Sequence, residues 1–108
     1  MPRVREREYV FALEEPDDRL RVQIATETGE VVAFLVQYET YLEGSFVPVS
    51  RYDSAHGVPH QDTLDRSNRV IRRRWLHGLD LKDALRLGDR DLRANWPDYK
   101  AEFFGVTP

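Results

Sequence analysis

The chain has no cysteine. Disulfides and thiolate metal sites are thereby excluded, and stability must come from a packed core. No apolar run is long enough to cross a membrane. The longest is Val31 to Val36, against the roughly 20 residues a spanning helix needs. The opening residues, Met1-Pro2-Arg3-Val4-Arg5-Glu6-Arg7-Glu8, lack the apolar centre of a secretory signal. A soluble, cytoplasmic protein without a membrane partner is the expectation. No repeat, low-complexity tract or interdomain linker stands out. A Walker loop, a dinucleotide fingerprint, a nucleophile elbow and zinc-finger spacing are all missing. Catalytic serine and cysteine nucleophiles therefore have no support.

What is present fits one domain over residues 1–108. The chain is 41% hydrophobic and 32% charged, with five Phe, five Tyr and two Trp, a globular rather than a disordered balance. Its net charge is −3, but Arg51 to Gly78 alone carries six arginines against Asp53, Asp62 and Asp65. A basic quarter inside an acidic chain points to an anionic partner.

The first half reads as strands. Tyr9, Phe11 and Leu13 alternate with Val10, Ala12 and Glu14, and Leu20, Val22 and Ile24 alternate with Arg21, Gln23 and Ala25. That period of two marks half-buried strands. Glu27-Thr28-Gly29-Glu30 reads as a hairpin turn with Gly29 in the left-handed region. A long strand follows from about Val31 to Leu42, its more apolar face being Val32, Phe34, Val36, Tyr38, Thr40 and Leu42. Glu43-Gly44 turns it into Phe46 to Tyr52, where Pro48 cannot donate a ladder bond and marks a bulge or an unpaired side. With a two-residue turn and no bulge, Arg51 faces Val36 and Asp53 faces Phe34, which puts both polar residues on the core face. A bulge at Pro48 flips them to the other face.

A strand from Gln61 to Leu64 and another from Arg69 to Leu76 form a basic hairpin. Arg69, Arg72, Arg73 and Arg74, with Trp75, read as a phosphate-contacting ribbon with an aromatic for stacking. The alternative, which charge runs in an acidic chain favour, is a charge-protected sheet edge. Asp80 is a helix N-cap and Asp83 a favourable N3 residue. Leu81, Leu85, Gly88, Leu92, Trp96, Tyr99 and Phe103 then make one packing stripe. Gly88 lets the helix approach the sheet closely. Pro97 demands a kink or a restart, and Gly105 ends the helix. The fold expected is α+β: an antiparallel meander of five to six strands with one long C-terminal helix on one face. The other face, with Leu35, Tyr41 and Phe46, is left for a protein partner or a second copy, so a homo-oligomer is expected.

The stretch Arg51-Tyr52-Asp53-Ser54-Ala55-His56-Gly57-Val58-Pro59-His60-Gln61-Asp62 concentrates the chemistry. Gly57 and Pro59 forbid a helix there and force a tight loop. His60 and Asp62 share one side of a strand, as do Arg51 and Asp53. His56, His60 and Asp62 are candidate ligands for a divalent metal. Alternatively His56 and His60 act as acid and base, with Asp62, Arg51 and Tyr52 completing a catalytic set and Arg51 holding a phosphate. A structural turn with Asp53 and His56 bonding loop amides is the other alternative.

The Arg-Tyr-Asp-x-Ala-His-Gly-x-x-His-x-Asp pattern at Arg51 to Asp62, with Asp-Leu-x-x-Asn-Trp-x-x-Tyr at Asp91 to Tyr99, resembles a family of small uncharacterised prokaryotic proteins. Arg51, Tyr52, Asp53, His56 and His60 also resemble the TumE-like toxins of toxin–antitoxin pairs. That second resemblance implies an RNA-directed toxin and an antitoxin as partner. The competing expectation is a non-enzymatic interaction module with a structural loop.

Overall fold

A computed structural model describes residues 3–55 and 57–105. Six strands follow one another in the chain: β1 (Val4–Glu14), β2 (Asp18–Glu27), β3 (Glu30–Leu42), β4 (Ser45–Asp53), β5 (His60–Leu64) and β6 (Val70–Trp75). They pair in that same order, every neighbour antiparallel, as one open meander. A single helix, α1 (Leu81–Phe103), packs on β3, β4 and β5. The turn chemistry explains the meander. Thr28 and Gly29, like Glu43 and Gly44, pair positive φ angles, as tight hairpin turns matched to strand twist require.

Helix-side residues alternate with open-face residues along the strands between their bulges. Leu20, Val22, Phe34, Val36, Tyr38, Val49 and Tyr52 form the core with Ala84, Leu92 and Phe103 of α1. Val32 drops out of the expected apolar row. Ala33 pairs with Ala25 and Val31 with Thr26, so Val32 is the extra residue of a bulge and is exposed. The open face carries ion pairs beside Leu35, Tyr41 and Phe46, which lie there as expected, with the Tyr41 and Phe46 rings packed edge to face at 5.4 Å. Glu39 accepts from Arg19 at 2.6 Å, Arg21 at 3.1 Å and Gln37 at 2.6 Å. Arg21 and Gln23 both donate to Glu8. Burial pulls the Glu39 carboxyl upward, but these donors outweigh it and hold its pKa below the ordinary value.

The helix starts where its cap lies: Asp80 accepts from the Asp83 amide at 2.8 Å. It runs through Pro97, an exposed position. There the carbonyl freed by the missing N–H can turn to water. Gly88 is a packing necessity. A Cβ there would stand 2.7 Å from Tyr52 Cγ, so only glycine lets the helix lie this close to β4. Near the C-terminal end of α1, Lys100 reaches buried Asp18 at 3.0 Å. Asp18 also accepts from Tyr38 and Thr40, at 2.6 and 2.9 Å.

Candidate functional site

The loop stretch is split by the sheet. Thr40 pairs with Val47 and Glu39 with Pro48, but Tyr38 pairs with Ser50, leaving Val49 as the extra residue of a bulge. Beyond it the register moves by one. Gln37 faces Arg51, Val36 faces Tyr52 and Leu35 faces Asp53. Arg51 and Asp53 therefore leave the core face that the unbulged register assigns them. They project from the open face, as the bulge alternative at Pro48 requires. Tyr52 points the other way, into the helix. It does not join Arg51, His60 and Asp62. His56 lies outside the described residues.

On the open face, β4, β5 and β6 bring Arg51, Asp53, His60, Asp62, Arg73 and Trp75 together in register: Arg51 opposite Asp62, Asp53 opposite His60, Asp62 opposite Arg73, and His60 opposite Trp75. His60 and Asp62 side chains are each only 1% exposed. His60 Nδ1 lies 3.0 Å from the Val58 carbonyl, and its Nε2 lies 3.2 Å from Asp53 Oδ1 and 3.8 Å from Asp62 Oδ2. Trp75 packs on the imidazole with ring centres 5.0 Å apart, and the Arg73 guanidinium lies 5.4 Å from the Trp75 ring centre. Asp62 accepts a two-pronged bond from Arg73, Nε to Oδ1 at 2.6 Å and Nη2 to Oδ2 at 2.9 Å. Burial pulls the Asp62 carboxyl upward, but the Arg73 bonds and the charges of Arg73, His60 and Arg51 hold its pKa below the ordinary value. Asp53 also accepts from the Ala55 amide at 2.9 Å, which fixes the start of the loop. Arg51 is held more loosely, 3.6 Å from Asp53 and 3.6 Å from Asp62.

Ligand atoms of Asp53, His60 and Asp62 lie within 4.8 Å of one another, so this trio could hold a metal ion. Asp53 is the third member among the described residues, and the expectation for His56 lies outside them. Two guanidiniums already balance the two carboxylates, and both Asp62 oxygens face Arg73. A cation would have to displace that pair.

The helix-side network is the part that sequence reasoning missed. The Tyr52 and Tyr99 hydroxyls both donate to Asp91 Oδ2, at 2.6 and 2.5 Å. Asn95 donates to Asp91 Oδ1 at 2.7 Å, Arg74 to the Tyr52 oxygen at 2.9 Å, and Gln61 to the Tyr99 oxygen at 2.9 Å. Burial, then the Asp91 carboxylate, pushes both tyrosine pKa values up. Asp91, Asn95 and Tyr99 fall at successive i, i+4 steps on one helix face. That polar spacing was the available signal, hidden because Tyr99 also fits the apolar stripe.

The arginine hairpin is internally satisfied. Arg69 pairs with Asp65 at 3.4 Å, Arg72 with Glu102 at 2.9 Å, Arg73 with Asp62, and Arg74 with the Tyr52 hydroxyl. Arg72 and Arg74 lie on the helix side and Arg73 on the open side, so the ribbon does not present one cationic face.

Fold and site together define an α+β domain whose open antiparallel sheet carries two polar networks back to back. The chain belongs to the family described as Domain of unknown function (DUF7718), which matches residues 4–105. No curated protein and no solved structure matches it. No helix among the described residues is long and apolar enough to cross a membrane.

Proposed function

We propose that the protein acts on an anionic ligand at the open-face cluster, and that this ligand is RNA, as for a toxin-like component of a toxin–antitoxin pair. One observation carries the reading: Arg51 Nε is buried and has no hydrogen-bond partner. An unmet buried donor is uncommon in a folded protein, and a ligand oxygen would satisfy it. The cluster's composition supports the same reading. Burying carboxylates against guanidiniums stabilises a fold no better than apolar packing does, and such departures from good core chemistry gather at functional sites.

In this reading Arg51 and Arg73 take phosphate oxygens, and Trp75, 44% exposed, offers a ring for a base. Buried His60 acts through Asp53, and His56 is the second histidine candidate. Tyr52 is left out, because it belongs to the helix-side network. The test is induced expression in a bacterial host. Growth arrest with loss of cellular RNA is expected, relieved by co-expression of a cognate antitoxin and abolished by His60→Gln, His56→Ala or Arg51→Gln at unchanged protein level. Harmless expression of the wild-type chain rejects it.

The internal pairing of Arg69, Arg72, Arg73 and Arg74 favours a second reading, a non-enzymatic interaction module. Cations already satisfied by their own chain must give up those pairs to bind phosphate. Under this reading expression is harmless, and RNA binding is absent at all salt concentrations.

A further inference from the structure

The two edges of the sheet are built differently. β6 is short, bulged at Ile71 and rich in arginine, which are devices that protect an edge from pairing. β1 is charged too, with Arg5, Arg7, Glu6, Glu8 and Glu14, and is bulged at Leu13, but it is nearly twice as long. It runs Val4–Glu14 with an even register from Val4 to Ala12, carries no proline or lysine, and is exposed at every position but Leu13. The helix reaches it at Phe11, where the Arg93 guanidinium lies 4.6 Å from the ring centre. Tyr9 and Phe11, 40% and 38% exposed, project on the helix side beside a groove of about 750 Å³ lined also by Val22, Ile24 and Leu85.

We infer that β1 is the interface with a second copy of this chain, the two β1 strands pairing antiparallel about Tyr9 into one continuous sheet. The strand's own charges select that register. Opposite residues must share a face of the pleat, so a two-fold pairing centres on a residue. Centred on Tyr9, it sets Tyr9 against Tyr9 of the second copy, Arg7 against Phe11, Glu8 against Val10 and Glu6 against Ala12. No like charges meet, and each Arg7 gains an aromatic ring. Centred on Glu8, the two Glu8 side chains collide. Centred on Arg7, the two arginines face each other and Glu6 faces Glu8. Centred on Val10, Glu6 faces Glu14, and Arg7 meets Leu13 just as Arg5 does in the Tyr9 register. The closed two-fold pairing removes both β1 edges at once.

The absence of cysteine makes the test clean. Tyr9→Cys should give a disulfide-linked dimer under mild oxidation, because directly opposed residues lie within disulfide reach. Glu8→Cys and Val70→Cys should give little. Light scattering should find the unmodified chain dimeric, and Tyr9→Glu should weaken dimerisation by about tenfold or more with unchanged circular dichroism. A monomer at the highest soluble concentration overturns the inference. So does a dimer that survives Tyr9→Glu, or one that cross-links through Val70→Cys instead of Tyr9→Cys.

Discussion

Strands β4, β5 and β6 hold two polar networks, one on each face, built from alternating residues of the same segments. On the helix side, Tyr52, Gln61 and Arg74 meet Asp91 and Tyr99 through hydroxyl and amide donors. On the open side, Arg51, Asp53, His60, Asp62 and Arg73 meet through ion pairs. The helix-side network uses mostly neutral donors around one carboxylate and ties the helix to the sheet. The open-side network holds two carboxylates, two guanidiniums and an imidazole and ties nothing beyond its three strands and the loop entry. The first reads as architecture. The second is where chemistry can occur without dismantling the fold.

Breaking the helix side at its packing should have the largest effect. Leu92→Ala should cost about 2–5 kcal/mol, because this fully buried side chain leaves a cavity when truncated. Gly88→Ala should cost about 1–3 kcal/mol by forcing Tyr52 to move. Arg86→Ala, on the exposed side of the same helix, should cost less than about 0.5 kcal/mol. Denaturant unfolding measures all three, and equal losses would mean that α1 packs through another face.

Next come the two carboxylates that centre the networks. Asp91→Ala should cost about 1–3 kcal/mol, since it removes the acceptor for the buried Tyr52 hydroxyl. Asp62→Leu combined with Arg73→Met should come out near neutral, because the pair sets a buried carboxylate against a guanidinium that is 37% exposed, and exchanging both partners for apolar groups costs little. A double variant as destabilised as Asp91→Ala would show that the open side is structural too.

The two networks should also fail at opposite ends of the pH scale. The Asp62 pKa is lowered in the folded protein, so its contribution is present above the ordinary carboxylate value of about 4 and is lost as pH falls through the folded value. The pKa values of Tyr52 and Tyr99 are raised. Their contribution is full below the ordinary tyrosine value of about 10 and is lost as pH rises through the folded values. In a Trp96→Phe variant, Trp75 fluorescence reports on the open side. It should change in acid before global unfolding and stay unchanged at the onset of alkaline unfolding.

Much of this architecture was legible in the sequence, for local reasons. Alternation placed the strands, paired turn residues placed the hairpins, and Asp80 placed the helix start. Gly88 was legible as a close-approach residue because it interrupts an apolar stripe. The faces of Arg51 and Tyr52 were not legible. They depend on a one-residue bulge at Val49, and the sequence showed only that Pro48 permits one. Proximity in the chain grouped Arg51, Tyr52, His60 and Asp62 as one site, whereas the pleat sends Tyr52 to the opposite face. The pairing of the hairpin arginines was hidden for a different reason. Glu102 and Asp62 are distant in sequence from Arg72 and Arg73, and only the folded helix and sheet bring them together.

Arg51→Gln is the smallest structural perturbation and the most direct test that the open face carries function. Arg51 lies 3.6 Å from both carboxylates, beyond hydrogen-bond reach, so the substitution should change stability by about 1 kcal/mol or less. The measurement is growth after induced expression of the wild-type and Arg51→Gln chains at matched protein level, with unfolding stability measured in parallel. The account predicts arrest by the wild-type chain and normal growth with an equally stable Arg51→Gln. Arrest by both chains, or by neither, would contradict it.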